Sequence, residues 1–409
     1  MVSIEAQKNE PVPAPKGWRY WCAYAVMIAP NAAVGLTLAA MPPILPELAL
    51  HLGGQRSAQL ITSVAGFGMI VGGMFSGRLL EWVGIRAFTL ASLLLYGAFG
   101  MLGLFLDTPI SMGSSRFALG VAGVFFSTAA LALTAATFSG EARSRVIGLQ
   151  QATSQVVNVC AVFIVGAIVQ FTGWRGAFLV YGAFGSALFL AAVAGVRAGP
   201  SRPVREQSAA PAPVGFLWSF TPVCALTTLM GILTVIPMAQ LPFVLADNGQ
   251  GSARLVSIVL GANFVFAAVS AMSYARLKTR FGKRATFIGG LAIGMCGIAF
   301  MGFARGLVPF CVAASLAGLG TGIYNTYVFD HGVEIVPPSY HARAAGLLFA
   351  FMFFGAAINP LVAGAFEQAL GLHRSLIVMA AVAFVCGLPV ILHRGVRAAP
   401  DAPAVTRTR

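Results

Sequence analysis

The sequence predicts an all-α polytopic membrane protein, with twelve transmembrane helices in two pseudo-symmetric six-helix bundles. Three observations carry this expectation. Hydrophobic residues make up 58% of the chain and charged residues only 9%. A soluble domain carries about 25% charged residues, so this chain has too little polar surface to face water and needs a coat of lipid. The apolar stretches run to 18 residues or more, the length at which a helix crosses about 30 Å of hydrocarbon. They are continuous rather than alternating, which argues against a β-barrel. Finally, a short basic segment occurs twice. Residues 77–86 read Gly-Arg-Leu-Leu-Glu-Trp-Val-Gly-Ile-Arg and residues 275–284 read Ala-Arg-Leu-Lys-Thr-Arg-Phe-Gly-Lys-Arg, an offset of 198 residues in a chain of 409.

The twelve runs fall at roughly 18–40, 57–77, 86–106, 112–136, 146–170, 174–196, 215–240, 254–275, 285–304, 307–330, 344–366 and 374–392. Residues 1–16 form a Pro- and Ala-rich polar tail, expected to be disordered and cytoplasmic. The first half, 17–196, then forms one bundle. Its first run carries Pro30 followed by Asn31, a break that membrane helices tolerate, and Asn31 is a candidate for the central cavity. Glu47 follows Pro42, Pro43 and Pro46 and is expected in the first outer loop. The segment 77–86 is the tight loop between the second and third runs, where Gly77 and Gly84 let the chain turn and the helices approach.

The fourth run holds Arg116 just inside its outer end, and no Asp or Glu occurs in the first-half runs to pair with it. An intramembrane charge is costly and marks a functional candidate. Three roles are open to it: contact with an anionic substrate, coupling to an ion, or a structural position that reaches the surface. In the fifth run Gln151, Gln155 and Asn158 recur at helical spacing and share one face. Lipid does not accept such a face, so it either lines a substrate cavity or binds a neighbouring helix.

Residues 197–214 are the longest polar, Pro-rich stretch inside the chain and read as a flexible cytoplasmic linker. A second bundle, 215–394, follows, with Asn263 in its eighth run as a weaker cavity candidate. The tenth run ends in Tyr324, Asn325, Tyr327, Asp330, His331 and Glu334. The first three are cavity candidates. Asp330, His331 and Glu334 are a proton site, a weak metal site or a solvated helix end. Residues 395–409 form a cytoplasmic tail.

The net charge of +14 does not indicate nucleic acid, because twenty of the 26 Lys and Arg residues fall on the side of the N-terminal tail when the runs are threaded alternately. That asymmetry places both termini in the cytoplasm. The six cysteines all lie in apolar runs and none forms a CxxC pair, so free thiols are expected and neither a disulfide framework nor a metal site. The 198-residue offset recurs: Gly120 pairs with Gly318, Arg145 and Gly148 with Arg343 and Gly346, and Gly173 with Gly371. A repeat with six helices per half is parallel, related by an axis along the membrane normal.

The pattern Gly77-x-Leu79-x-Glu81-x-x-Gly84-x-Arg86 resembles the signature loop of the major facilitator superfamily, with Glu81 where Asp is usual. The second copy keeps Leu277, Gly282, Lys283 and Arg284 and has Thr279 at the acidic position. Arg116 with Gly120, Glu141 with Arg143, Arg145 and Gly148, and Gly173-Trp174-Arg175 with Phe178 resemble further family motifs. The resemblance implies a bacterial inner-membrane secondary transporter working by alternating access. It also implies a gating loop of Gly77, Leu79, Glu81, Gly84, Arg86, Gly282 and Arg284, with Glu81 as part of a latch. Arg116, Asp330, His331 and Glu334 are the candidates for coupling. The fifth run lacks the Gly-Pro motif usual in drug–proton antiporters of the superfamily.

No phosphate loop and no nucleophile–base pair is present, so neither an ATP-driven pump nor an enzyme is expected. The leading expectation is proton-coupled efflux of a small amphipathic compound. The alternative is uptake or exchange of a small organic anion, with Arg116 as its partner. The partners expected are a small-molecule substrate, protons or another ion, and membrane lipid. No cofactor and no nucleic acid is expected, and the chain is expected to act as a monomer.

Overall fold

The computed structural model describes residues 17–138, 140–196, 214–335 and 341–388. Among these residues all regular structure is helical. The first half holds α1 (Trp18–Ile28), α2 (Pro30–Ala39), α3 (Leu45–His51), α4 (Gln55–Val83), α5 (Ile85–Met101), α6 (Pro109–Thr137), α7 (Gly140–Thr172) and α8 (Leu179–Gly195). The second half holds α9 (Val214–Asp247), α10 (Ala253–Phe281), α11 (Lys283–Met301), α12 (Leu307–Glu334), α13 (His341–Leu370) and α14 (Leu372–Gly387). The expected tails, and the expected linker apart from Val214, lie outside the described residues.

Fourteen helices serve twelve crossings because the first apolar run is broken. Pro30 has no N–H to donate and is the first residue of α2, where a helix needs no donor. The chain then passes through a 3-10 turn (Pro42–Ile44) into α3. The segment around Glu47, expected as a loop, is thus the short helix α3, with Glu47 half-buried in its first turn. Among the described residues ten helices are long and apolar enough to span a bilayer, and the segments Val156–Thr172 and Leu372–Gly387 are shorter apolar helices. Their outer faces stay greasy: Trp82, Ile110, Phe171 and Met272 are each more than 80% exposed. A surface of that kind is stable only in lipid.

The repeated basic segment is not a loop along most of its length. Helix α4 continues through Val83, and Gly84 alone separates it from α5. In the second half Gly282 alone separates α10 from α11. The two glycines have nearly the same backbone, φ 83° and ψ 152° for Gly84, φ 81° and ψ 157° for Gly282. Gly173 and Gly371 likewise share positive φ, 69° and 78°. The duplication therefore extends down to single torsion angles. Positive φ combined with ψ near 155° is a region open essentially to Gly, and an L side chain there costs roughly 1–3 kcal/mol. Gly84→Ala and Gly282→Ala should each lower the melting temperature of the purified protein modestly, by equivalent amounts. Gly77 does not share this role. It lies within α4, and a Cβ there would meet nothing within 4 Å.

Within each half, close helix crossings replace the hydrophobic drive that lipid removes. A Cβ on Gly120 of α6 would overlap the Ala65 carbonyl oxygen of α4, and one on Gly318 of α12 would overlap the Asn263 carbonyl oxygen of α10. Both the glycines and the carbonyls they meet are again 198 residues apart. Each half has its own apolar core, and each core borrows a few residues from the other half: Ala39 and Val162 pack into the second, Phe243 and Ala253 into the first.

Candidate functional site

The borrowed residues mark where the halves meet. Ala39 ends α2, Val162 lies in the last third of α7, Phe243 is near the end of α9, and Ala253 starts α10. All lie toward the end of the molecule that carries α3. The main contacts between halves are α4 with α13 and α7 with α10. Their tightest approaches, Gly66 against Ala357, Gly166 against Ser257 and Gly261 against Phe163, fall in the same half of the membrane. Every side-chain hydrogen bond between halves among the described residues is there too. Gln55 Nε2 donates to Glu367 Oε2 at 3.1 Å, and Gln59 Nε2 donates to Gln240 Oε1 at 3.0 Å and to the Ala239 carbonyl at 3.3 Å. Helices α2 and α6 have no comparable packing against α9 and α12. Among the described residues the halves close on each other at the α3 end, and the sparse contact of these four helices across the halves leaves a gap between them.

The cavity candidates divide. Thr234 of α9 and Asn325 of α12 exchange hydrogen bonds at 3.0 and 3.3 Å, and both are half-buried. Asn31 is half-buried, with its carbonyl taken by Ser154 Oγ of α7 at 2.9 Å. These polar groups sit on helices that border the gap. Asn158 is buried against Gly35, with its amide oxygen unpartnered. Asn263 is turned inward, donating to the Ala314 carbonyl at 2.9 Å. Tyr324 is fully buried, its hydroxyl 3.0 Å from Thr321 Oγ1, and the Tyr327 ring lies 4.2 Å from that of Phe287. These two tyrosines belong to the core between α11 and α12. Gln151 and Gln155 lie on α7, but their side chains fall outside the described residues.

Arg116 is in the middle of the first bundle. Its side chain is fully buried, donates to the Gly100 carbonyl at 3.1 Å, and lies 4.9 Å from the Phe178 ring centroid and 4.8 Å from that of Tyr181. Its Nε has no partner. The guanidinium is flat and weakly hydrated, so aromatic faces can hold it where an ammonium would need water. No acid contacts it among the described residues.

The acidic group at the end of α12 joins the second copy of the repeated segment. Asp330 accepts from Lys278 at 2.8 Å and from Tyr274 at 3.0 Å, and Lys283 is 3.2 Å away. Lys283 also pairs with Glu334, and His331 stacks on Tyr327 at 5.4 Å. The acid missing at Thr279 is thus supplied by the neighbouring helix, and Thr279 itself only bonds the Arg276 carbonyl. Arg284 lies beside this group on α11 and is exposed. In the first copy Glu81 and Arg86 are exposed, Leu79 is half-buried, and Glu81 has no ion pair among the described residues.

Sequence reasoning misses Glu367. The eleventh run is expected to stop at 366, because a charge ends an apolar stretch. Helix α13 continues to Leu370, and Gly371 at positive φ is the true stop. The helix end, not the hydropathy, is the usable signal.

The fold and the closed seam define a multi-pass membrane protein built as a duplicated helical bundle. The sequence model of the Major Facilitator Superfamily matches residues 31–240 and 223–408, and the chain belongs to that superfamily. It is 27% identical over 157 residues to the MFS-type transporter pydD of Acremonium sp, a match covering 37% of this chain and 27% of that protein. It is 26% identical over 166 residues to the MFS-type transporter ppzB of Metarhizium rileyi (strain RCEF 4871), covering 37% of this chain and 34% of that protein. The chain thus spans about a third or less of these relatives' lengths. Among solved structures, a bacterial homologue of the human lysosomal transporter Spinster, inward-facing and occupied, superposes with a TM-score of 0.75 at 14% identity over 92% of this chain and 97% of that one. A point mutant of the nucleoside transporter NupG gives 0.74 at 12% identity over 91% and 98%. These two likenesses are of fold.

Proposed function

We propose that this chain is a secondary transporter that moves a small organic molecule by alternating access, and that the movement is proton-coupled efflux of an amphipathic compound. The observation that carries the reading is the one-ended closure of the two halves. Contacts between halves that, among the described residues, are concentrated at one end suit a pair of bundles rocking about a central site. If the basic segments face the cytoplasm, as the charge asymmetry supports, the closed end is exterior and this is the inward-open form. The gap offers small polar groups, Asn31, Thr234 and Asn325, among apolar walls, which suits an amphipathic molecule. Arg116 is enclosed by Phe178 and Tyr181, which supports efflux over an anion partnered by that residue. The transporter relatives and neighbours are consistent with the class and not with any one substrate.

The test is flux in vesicles containing only this protein, with a pH gradient imposed and a fluorescent amphipathic cation as probe. Probe movement against its gradient that stops when a protonophore is added is the expected result. Movement unaffected by the proton gradient would overturn the coupling, and movement of neither this dye nor an organic anion would overturn transport. In the same assay Glu81→Gln should slow turnover about threefold, what the loss of an exposed ion pair made only in the outward-open form and worth under about 1 kcal/mol gives, with selectivity unchanged. Thr279→Val should be silent, because Asp330 already serves that segment.

A further inference from the structure

Among the described residues one carboxyl group makes a hydrogen bond across the closed seam, and the role of that group is not accounted for by closure alone. Glu367 sits near the end of α13, at the meeting of α13 with α4 and α9. Its Oε2 accepts from Gln55, while Oε1 is shut off from solvent and has no partner. The amides of Gln59 and Gln240 lie against the same carboxyl group, and Gln240 Nε2 is also without a partner. Three amides and one acid therefore form a cluster that spans both halves.

The surrounding charges leave it uncompensated. On α4 the adjacent Arg56 is exposed. On α9 Asp247 is taken by His373 of α14 at 2.8 Å. Arg374 on α14 is exposed, and Arg305, before α12, donates to its neighbour's carbonyl. Glu47 and His51 of α3 lie in the same layer. None of these makes an ion pair with Glu367 among the described residues.

An ionised carboxylate with one dry, bare oxygen is costly, and a neutral acid costs much less. An amide can also serve either form. Gln59 Nε2 donates to Gln240 Oε1, so turning both amides together about their last torsions exchanges oxygen for nitrogen, and Gln240 can then accept from an acid O–H or donate to a carboxylate. The closed seam therefore suits the protonated acid, and the ionised form gains by reaching water, which requires the seam to part.

From this geometry we infer that Glu367 is a proton-binding site in the outer seam, whose acid form closes the exterior and whose carboxylate form opens it. The inference rests on the alternating-access reading and adds to it a titratable group that sets the exterior gate. The sign follows from linkage: the closed form binds the extra proton, so closure is favoured at low pH and lost as pH rises. One proton changes the open-to-closed ratio by at most about tenfold per pH unit.

The test is a pulsed electron–electron distance measurement on the full chain in nanodiscs. The six native cysteines are replaced by Ser, and spin labels are attached through Arg56→Cys and Gln368→Cys, two exposed positions on opposite sides of the seam. The parent should show a short distance at low pH and a growing longer one as pH rises. Glu367→Gln should hold the short distance at every pH, and Glu367→Asp should restore the response. A pH response unchanged in Glu367→Gln would overturn the site and leave alternating access standing. A single distance in all variants at all pH values, with or without transported probe, would overturn the alternating-access reading and this inference together.

Discussion

Gly120→Ala and Gly318→Ala are each expected to leave a protein that melts well below the parent and survives poorly on size-exclusion chromatography. The added methyl has nowhere to go. At Gly120 it would overlap the Ala65 carbonyl oxygen and lie 2.9 Å from that carbon and 3.1 Å from the Met69 nitrogen; at Gly318 it would overlap the Asn263 carbonyl oxygen and lie 3.0 and 3.1 Å from that residue's carbonyl carbon and Cα. Every one of these atoms is backbone, so no side chain can rotate away and the helices must part. Forcing an extra carbon into such a crossing costs about 2–3 kcal/mol. In lipid no hydrophobic drive pushes the helices back together, because the tails are as apolar as the side chains. The two sites lie in different bundles and share no partner, so the double variant should lose the sum of the single losses. Gly77→Ala is the control, since a Cβ there meets nothing. Melting temperatures for the two variants equal to that of Gly77→Ala would refute the close crossings.

That pairing also explains what the sequence could announce. Helix count, the duplication and the class follow from quantities that accumulate along the chain: apolar length, charge asymmetry, an offset that recurs. These survive errors of a residue or two. The placement of individual side chains does not, because a helix that is apolar all round carries no record of which face meets which neighbour. Tyr324 and Tyr327 look polar enough for a cavity, yet they pack into the core of the second half. Asn263 and Asn325 lie on neighbouring packed helices, α10 and α12; one bonds inward to Ala314 and the other meets Thr234 beside the gap. Thr279 reads as a missing acid, and the missing group arrives from α12, 51 residues along the chain from Thr279 as Asp330. Glu367 is hidden for a different reason: its own charge ends the run in which it belongs.

Arg116→Lys should be more damaging to stability than Arg116→Met, although lysine keeps the charge. The arginine is held by two ring faces, a single carbonyl and the Met41 sulfur, with no carboxylate near it. Rings at under 5 Å favour a broad, flat, weakly hydrated cation, and such contacts are worth about 2 kcal/mol or more when water is excluded. An ammonium is compact and strongly hydrated, reaches less far, and in this pocket would be buried without the three acceptors it needs. Lysine therefore keeps the desolvation cost and loses much of the offset. Methionine removes the cation, fills similar space, and lets Phe178 and Tyr181 close on a thioether; replacing a buried charge with a matched apolar group is often neutral or stabilising. The expected order of melting temperature is Met variant at or above the parent, within about 1 kcal/mol, and Lys variant below it. Transport by the Met variant then divides the two functional readings. If Arg116 is the partner of an anionic substrate, the Met variant folds and transports nothing. If the residue is part of the bundle's core, as its neighbours indicate, the Met variant retains proton-driven flux. A Lys variant as stable as the parent would show that water reaches this pocket and that the rings do not hold the cation.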